Sequence, residues 1–117
     1  MVLYNVLDKK TWPESDFTDQ TTHVISGTIY INEALSSAQT LTGYTLKIRL
    51  LDIDGVLYKE DDCDIVTAAS GTWRYKPADG DLSVRGLYSV NIQLTKTGEQ
   101  LTAIGLNNSN ILRITPS

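Results

Sequence analysis

Apolar and polar residues alternate through residues 86–98. Tyr88, Val90, Ile92 and Leu94 fall on one side, and Ser89, Asn91, Gln93 and Thr95 on the other. A period of two places these sets on opposite faces of an extended chain, which predicts a half-buried strand, the longest in the sequence. The same alternation predicts three further strands. Residues 23–31 carry His23, Ile25, Gly27, Ile29 and Ile31 on one face. Residues 44–51 point Leu46, Ile48 and Leu50 inward and Lys47 and Arg49 outward. Residues 111–115 set Leu112 and Ile114 together.

Turn signals lie between these runs. Asp54-Gly55 predicts a hairpin, because both residues tolerate positive φ, with residues 56–59 as its return strand. Ser70-Gly71 predicts a second hairpin, between residues 64–69 and 72–76, with Trp73 and Tyr75 on one face. Residues 32–42 read as a loop or broken edge strand, and 77–85 as a connection with one helical turn. Residues 100–104 read as a short, partly paired strand after the Thr97-Gly98 turn, and residues 107–110 as another turn. No stretch carries a helical period.

The predicted fold is therefore all-β: an immunoglobulin-like antiparallel β-sandwich of seven or eight short strands over residues 22–117. Gly86 and Tyr88 have the spacing of a tyrosine corner, and Val90 stands where antibody domains carry a disulfide cysteine. Trp73, Tyr88, Val90 and Ile92 are the expected core markers. Residues 1–21 lack a steady period and read as an extended N-terminal arm or, as the alternative, a segment that wraps back over its own sandwich. Its aromatics Tyr4, Trp12 and Phe17 are candidate interface anchors, since large aromatics suit a neighbour's pocket better than water.

Composition narrows the chemistry. The chain has 117 residues, which fits one domain with a core of its own. Its net charge is −4, and Lys9-Lys10 is its only adjacent basic pair, which argues against nucleic acid as partner. No apolar run reaches the length of a membrane span, and the first ten residues do not read as a secretion signal. Cys63 is the single cysteine; Asp61, Asp62 and Asp64 beside it disfavour a thiolate. His23 is the single histidine and has no partner for metal or acid–base work. The acids between Asp52 and Asp64 raise calcium as an option, but without a calcium-loop spacing; an acidic, solvated hairpin is the preferred reading and no cofactor is expected. No nucleophile elbow or phosphate loop is present, so the chain reads as non-enzymatic.

Several segments in order resemble the N-terminal domain of phage baseplate upper proteins. They are Leu41-Thr-Gly-Tyr-Thr-Leu-Lys-Ile-Arg-Leu50, Asp54-Gly55, Ala69-Ser-Gly-Thr-Trp-Arg-Tyr75, Gly80-Asp-Leu and Gly86-Leu-Tyr-Ser-Val90. The resemblance spans about residues 41–115 and has no counterpart for the arm. It implies a structural protein of a tailed-phage virion, in the tail, baseplate or capsid surface. Such a protein would be made in the bacterial cytoplasm and would bind other virion proteins as a symmetric homo-oligomer or in multiple copies. The alternative is a carbohydrate-binding module for host attachment, with Trp73, Tyr75 and Tyr58 as a stacking surface.

Overall fold

The computed structural model describes residues 2–13, 24–77, 85–106 and 108–115. Among them are nine strands and one 3-10 turn, so the chain is all-β. The strands are β1 (Leu3–Leu7), β2 (Thr11–Pro13), β3 (Ile25–Tyr30), β4 (Thr45–Leu51), β5 (Leu57–Thr67), β6 (Thr72–Tyr75), β7 (Gly86–Lys96), β8 (Glu99–Ile104) and β9 (Ile111–Thr115). Hydrogen bonding runs continuously through β7-β4-β5-β6-β3-β1-β8 and returns to β7, closing a seven-stranded ring. β9 and then β2 extend from β7 outside that ring.

β7 positions everything else. One of its edges pairs with β4 along Ser89–Thr95. There Leu50 meets Val90, Ile48 meets Ile92, and Leu46 meets Leu94, and all six are buried. Its other edge serves two partners: residues 86–89 pair with β9, and residues 92–96 with β8. Val90 sits between them, where neither ladder reaches. Its N–H donates to the Asn110 carbonyl at 2.8 Å, and its carbonyl accepts from Asn5 Nδ2 at 2.9 Å. The switch of partner therefore leaves no backbone group of Val90 unsatisfied in the interior.

Asn5 has no solvent exposure and ties three strands together. Besides its bond to β7, its Oδ1 accepts from Trp73 Nε1 at 2.8 Å. Its own carbonyl accepts from Ser109 Oγ at 2.8 Å. Trp73, also fully buried, lies across from Gly27 on the neighbouring strand. A Cβ on Gly27 would stand 2.5 Å from the Val6 carbonyl oxygen and 2.9 Å from the Trp73 ring, so only glycine fits.

Several expectations need correction. Residues 3–13 are not a free arm. β1 pairs antiparallel with β3 and parallel with β8, and β2 pairs parallel with β9. Leu3, Asn5 and Leu7 point into the core and Tyr4 and Val6 point out. Trp12 is buried in the core cluster, with Lys9 Nζ 3.9 Å from its ring centroid, so it is not available as an anchor. Tyr4 stays half-exposed on the outer surface. Phe17 and His23 lie outside the described residues, as does most of the expected 77–85 connection.

The acidic stretch is the exposed return strand of the β4–β5 hairpin, and β5 continues through it to Thr67. Cross-strand bases hold it extended, with Glu60 3.1 Å from Arg49 Nε and 3.9 Å from Lys47 Nζ. The Asp61 carboxylate accepts from Tyr75 OH at 3.2 Å, and Asp64 lies 3.8 Å from Arg74 Nε. The acids are thus spread along a strand, which does not converge their oxygens as a calcium loop does.

Candidate binding cleft

The hairpin joining β4 to β5 is shaped by Asp52. Its Oδ1 accepts from the N–H groups of Asp54, at 2.9 Å, and Val56, at 3.0 Å. The Gly55 N–H donates to the Asp52 carbonyl at 2.9 Å, and Gly55 takes φ 80°. This is a three-residue loop, Ile53-Asp54-Gly55, with glycine at the left-handed position, rather than a two-residue Asp-Gly turn. The extra residue lifts Ile53 to the tip, where it is 81% exposed.

Below Ile53 lies a cleft of about 340 Å³, lined by Asp52, Ile53, Leu87, Tyr88, Ser89, Asn108 and Ile111. A second hollow, of about 250 Å³, shares Asp52, Ile53, Leu87 and Tyr88 and adds Tyr58, Arg85 and Gly86. Ile53 and Leu87 therefore border both. Tyr88 forms the floor, its ring tilted against Tyr58 at a centroid distance of 4.9 Å. Burial pushes the Tyr88 phenol above its ordinary pKa, with smaller contributions from Tyr58 and Asp52, so it remains a protonated hydroxyl at neutral pH.

Asn108 closes the rim from the loop before β9. It has φ 64°, an uncommon conformation for a residue other than glycine. The loop is held at both flanks. Ser109 Oγ accepts from the Leu106 N–H at 2.9 Å, and Asn110 Nδ2 donates to Asn91 Oδ1 at 2.9 Å. The cleft thus has apolar walls, an aromatic floor and a few polar groups on a fixed frame, as small-ligand and side-chain pockets do.

A separate hollow of about 370 Å³ lies over Cys63, between Tyr44, Thr45, Leu46, Asp62, Asp64 and Ile65. Burial, and then the carboxylates of Asp61, Asp64 and Asp62, push the Cys63 thiol well above its ordinary range. It is no nucleophile at neutral pH. Among the described residues no group of three or more His, Cys, Asp or Glu is placed to hold a metal ion.

The residues singled out in the sequence do not converge on the cleft. Trp73, Val90 and Ile92 are fully buried in the core, and Tyr88 alone of the four also faces the cleft. The stacking surface of Trp73, Tyr75 and Tyr58 does not exist as such, because Trp73 is 0% and Tyr75 2% exposed. Leu87, Ile53 and Asn108 were missed. One signal was legible: an isoleucine at the tip of a turn, between two aspartates, is poorly placed unless something covers it.

No protein-family model and no curated protein matches the sequence. Among solved structures, CopC from Methylosinus trichosporium OB3b is similar, at 11% identity over 97% of this chain and 95% of that one, with a TM-score of 0.47. The expectation of a tailed-phage virion protein is corrected here: the similar solved structure named above is CopC, not a phage protein. The expectation of no cofactor, calcium aside, is withdrawn with it. A likeness this distant carries nothing about what the present chain binds. Its function has to be argued from its own surface.

Proposed function

We propose that this chain is a non-enzymatic binding domain whose hairpin-end cleft takes a bulky apolar side chain from a partner protein. The observation that carries this reading is the exposure of Ile53, 81%, and Leu87, 45%, in the lining of a cleft that the buried Tyr88 also lines. Two exposed aliphatics lining a concave, partly apolar cleft form an unfinished piece of core. Val56 and Leu57, 60% and 43% exposed, widen the apolar surface along the same hairpin. Asp52, Ser89 and Asn108 supply the polar edge that orients a guest. The frame supports the reading too. The N-terminal residues are shared between β3, through β1, and β9, through β2, and Tyr88 stands near the start of the long strand. Both are features of an immunoglobulin-like domain, a scaffold that presents loops at its ends for binding.

The test uses indole and phenol as probes, titrated into the isotopically labelled chain and followed by amide chemical shifts. Saturable shifts should concentrate at Ile53, Leu87 and Ser89 and disappear in Ile53→Asp/Leu87→Asp with the fold retained. Shifts scattered over the barrel, or unchanged in the double variant, would refute the cleft.

A further inference from the structure

Besides its apolar walls and polar rim, the cleft has an open stretch of main chain. Along an antiparallel strand the backbone groups of successive residues point to alternate edges. In β7 the Val90 N–H donates to the Asn110 carbonyl, on the β9 side. Tyr88 and Gly86, two and four residues earlier, therefore turn their N–H and C=O to β9 as well, in register with Leu112 and Ile114. Leu87 and Ser89 turn theirs to the β4 side. Arg113 agrees with this phase: it stands opposite Leu87, and its N–H donates away from β7, to the Lys10 carbonyl at 2.8 Å.

The β4 ladder reaches Ser89 and stops there, at its pairing with Leu51. Continued by two residues, the register would set Ile53 against Leu87. Instead the Asp52 carboxylate gathers the N–H groups of Asp54 and Val56 and turns the chain into the hairpin loop. The hollow of about 250 Å³ is lined from both segments, by Ile53 of the hairpin and by Gly86, Leu87 and Tyr88 of β7. The N–H and C=O of Leu87 thus stand at that hollow with no backbone partner among the described residues.

We infer that the partner's apolar side chain arrives on an extended main chain, which pairs with Leu87 as one further strand beside the end of β7. This rests on the cleft reading and names the form of its ligand. A donor and an acceptor on one residue are matched by one residue of an antiparallel peptide, which exchanges both bonds. The neighbours of that residue turn their side chains to the Tyr88 face, and one of them is the bulky guest. Main-chain bonds at an open edge supply affinity, and pockets for alternate side chains supply specificity. Charge sets the flanks. Asp52 and Asp54 stand in the hairpin, with Arg85 in the lining of the hollow, and the whole chain carries −4. A segment with basic residues around its apolar one is drawn to this end, and an acidic one is repelled.

Blocked pentapeptides titrated into the isotopically labelled full chain test this, with indole as the side-chain probe. The parent is acetyl-Lys-Val-Trp-Val-Lys-amide. It should saturate, move the Leu87 amide proton downfield and slow its exchange with solvent. The same peptide N-methylated at both valines should bind about five-fold more weakly or worse. A version with Glu in place of Lys should bind more weakly at low salt, the gap closing as salt is raised. Incorporating the α-hydroxy acid of leucine at position 87 replaces only that N–H with oxygen; it should weaken the parent peptide and leave indole unaffected. Equal binding of the parent and N-methylated peptides at Ile53 and Leu87 overturns the strand pairing and leaves the cleft standing. Shifts from the parent peptide along another strand edge overturn it too, and equal binding of the Glu and Lys versions overturns the basic flanks. Failure of indole and every peptide to bind removes the cleft and this inference together.

Discussion

Replacing Asn5 with leucine should destabilise the barrel by about 3 kcal/mol. The two side chains are similar in size, so the change leaves the packing volume nearly intact and isolates the polar loss. Asn5 Nδ2 satisfies the Val90 carbonyl at 2.9 Å, and Asn5 Oδ1 satisfies Trp73 Nε1 at 2.8 Å. Both partners are in fully buried residues, and leucine can bond neither. A buried group stripped of its partner costs about 1–3 kcal/mol, so two such losses sum to about 2–6 kcal/mol. Easier desolvation of leucine offsets part of that, leaving a figure near 3. Urea unfolding gives the value from the midpoint, provided the slope is unchanged. Trp73→Phe completes a double-mutant cycle, because it removes the Nε1 donor itself. If the bond acts as described, the double variant should fall short of the sum of the singles by about 1–2 kcal/mol. A single-variant loss below about 1 kcal/mol, or strict additivity, would show that Asn5 does not latch β1 to β6 and β7.

Three further expectations concern the core and the thiol. Gly27→Ala should cost about 3 kcal/mol by thermal or urea unfolding, because the added methyl meets a backbone oxygen at 2.5 Å as well as the Trp73 ring; a neutral result would mean that β1 and β3 are not so closely packed. Tyr88→Ala should cost about 3–5 kcal/mol through the cavity beside Tyr58, whereas Tyr88→Phe should cost about 1 kcal/mol; equal effects would place the ring elsewhere. Cys63 should react with iodoacetamide at pH 8 more than about ten-fold slower than a free peptide thiol, since the thiolate is the attacking species. Because the folded thiol's pKa is raised above the unfolded value, its contribution to stability is full below about pH 8.5 and declines as pH rises beyond it. The wild-type melting temperature should therefore fall more steeply than that of Cys63→Ala above that pH, and parallel curves would contradict the buried, acid-flanked placement.

The sequence carried the fold where faces differ in polarity. β3, β4, β7 and β9 set apolar residues inward against polar ones outward, and alternation alone located them. It failed at β1 for a physical reason. There the buried face carries Asn5 between Leu3 and Leu7, and the outer face carries Tyr4 and Val6, so the contrast is nearly erased. The polar inward residue is the latch. At β5 the acids occupy both faces of a strand whose burial is shallow throughout, and nothing local separates that from a solvated loop. The Trp12 strand is too short to show a period, and its partner is about a hundred residues away. The cleft was hidden for a related reason. Its lining comes from residues 52–53, 87–89, 108 and 111, which only the closure of the ring brings together. No spacing rule links such segments.

The most direct measurement is photo-crosslinking in the cell that makes the protein, with a benzophenone amino acid placed at Leu87 or, as control, at Lys47 on β4. Leu87 is 45% exposed and borders the cleft, so the substitution leaves the core alone. The account predicts a discrete covalent adduct to a partner protein from position 87, absent from position 47 and abolished by Ile53→Asp in the same chain. No adduct from position 87, or one that forms equally from position 47, would contradict the claim that the hairpin-end cleft is where this domain binds.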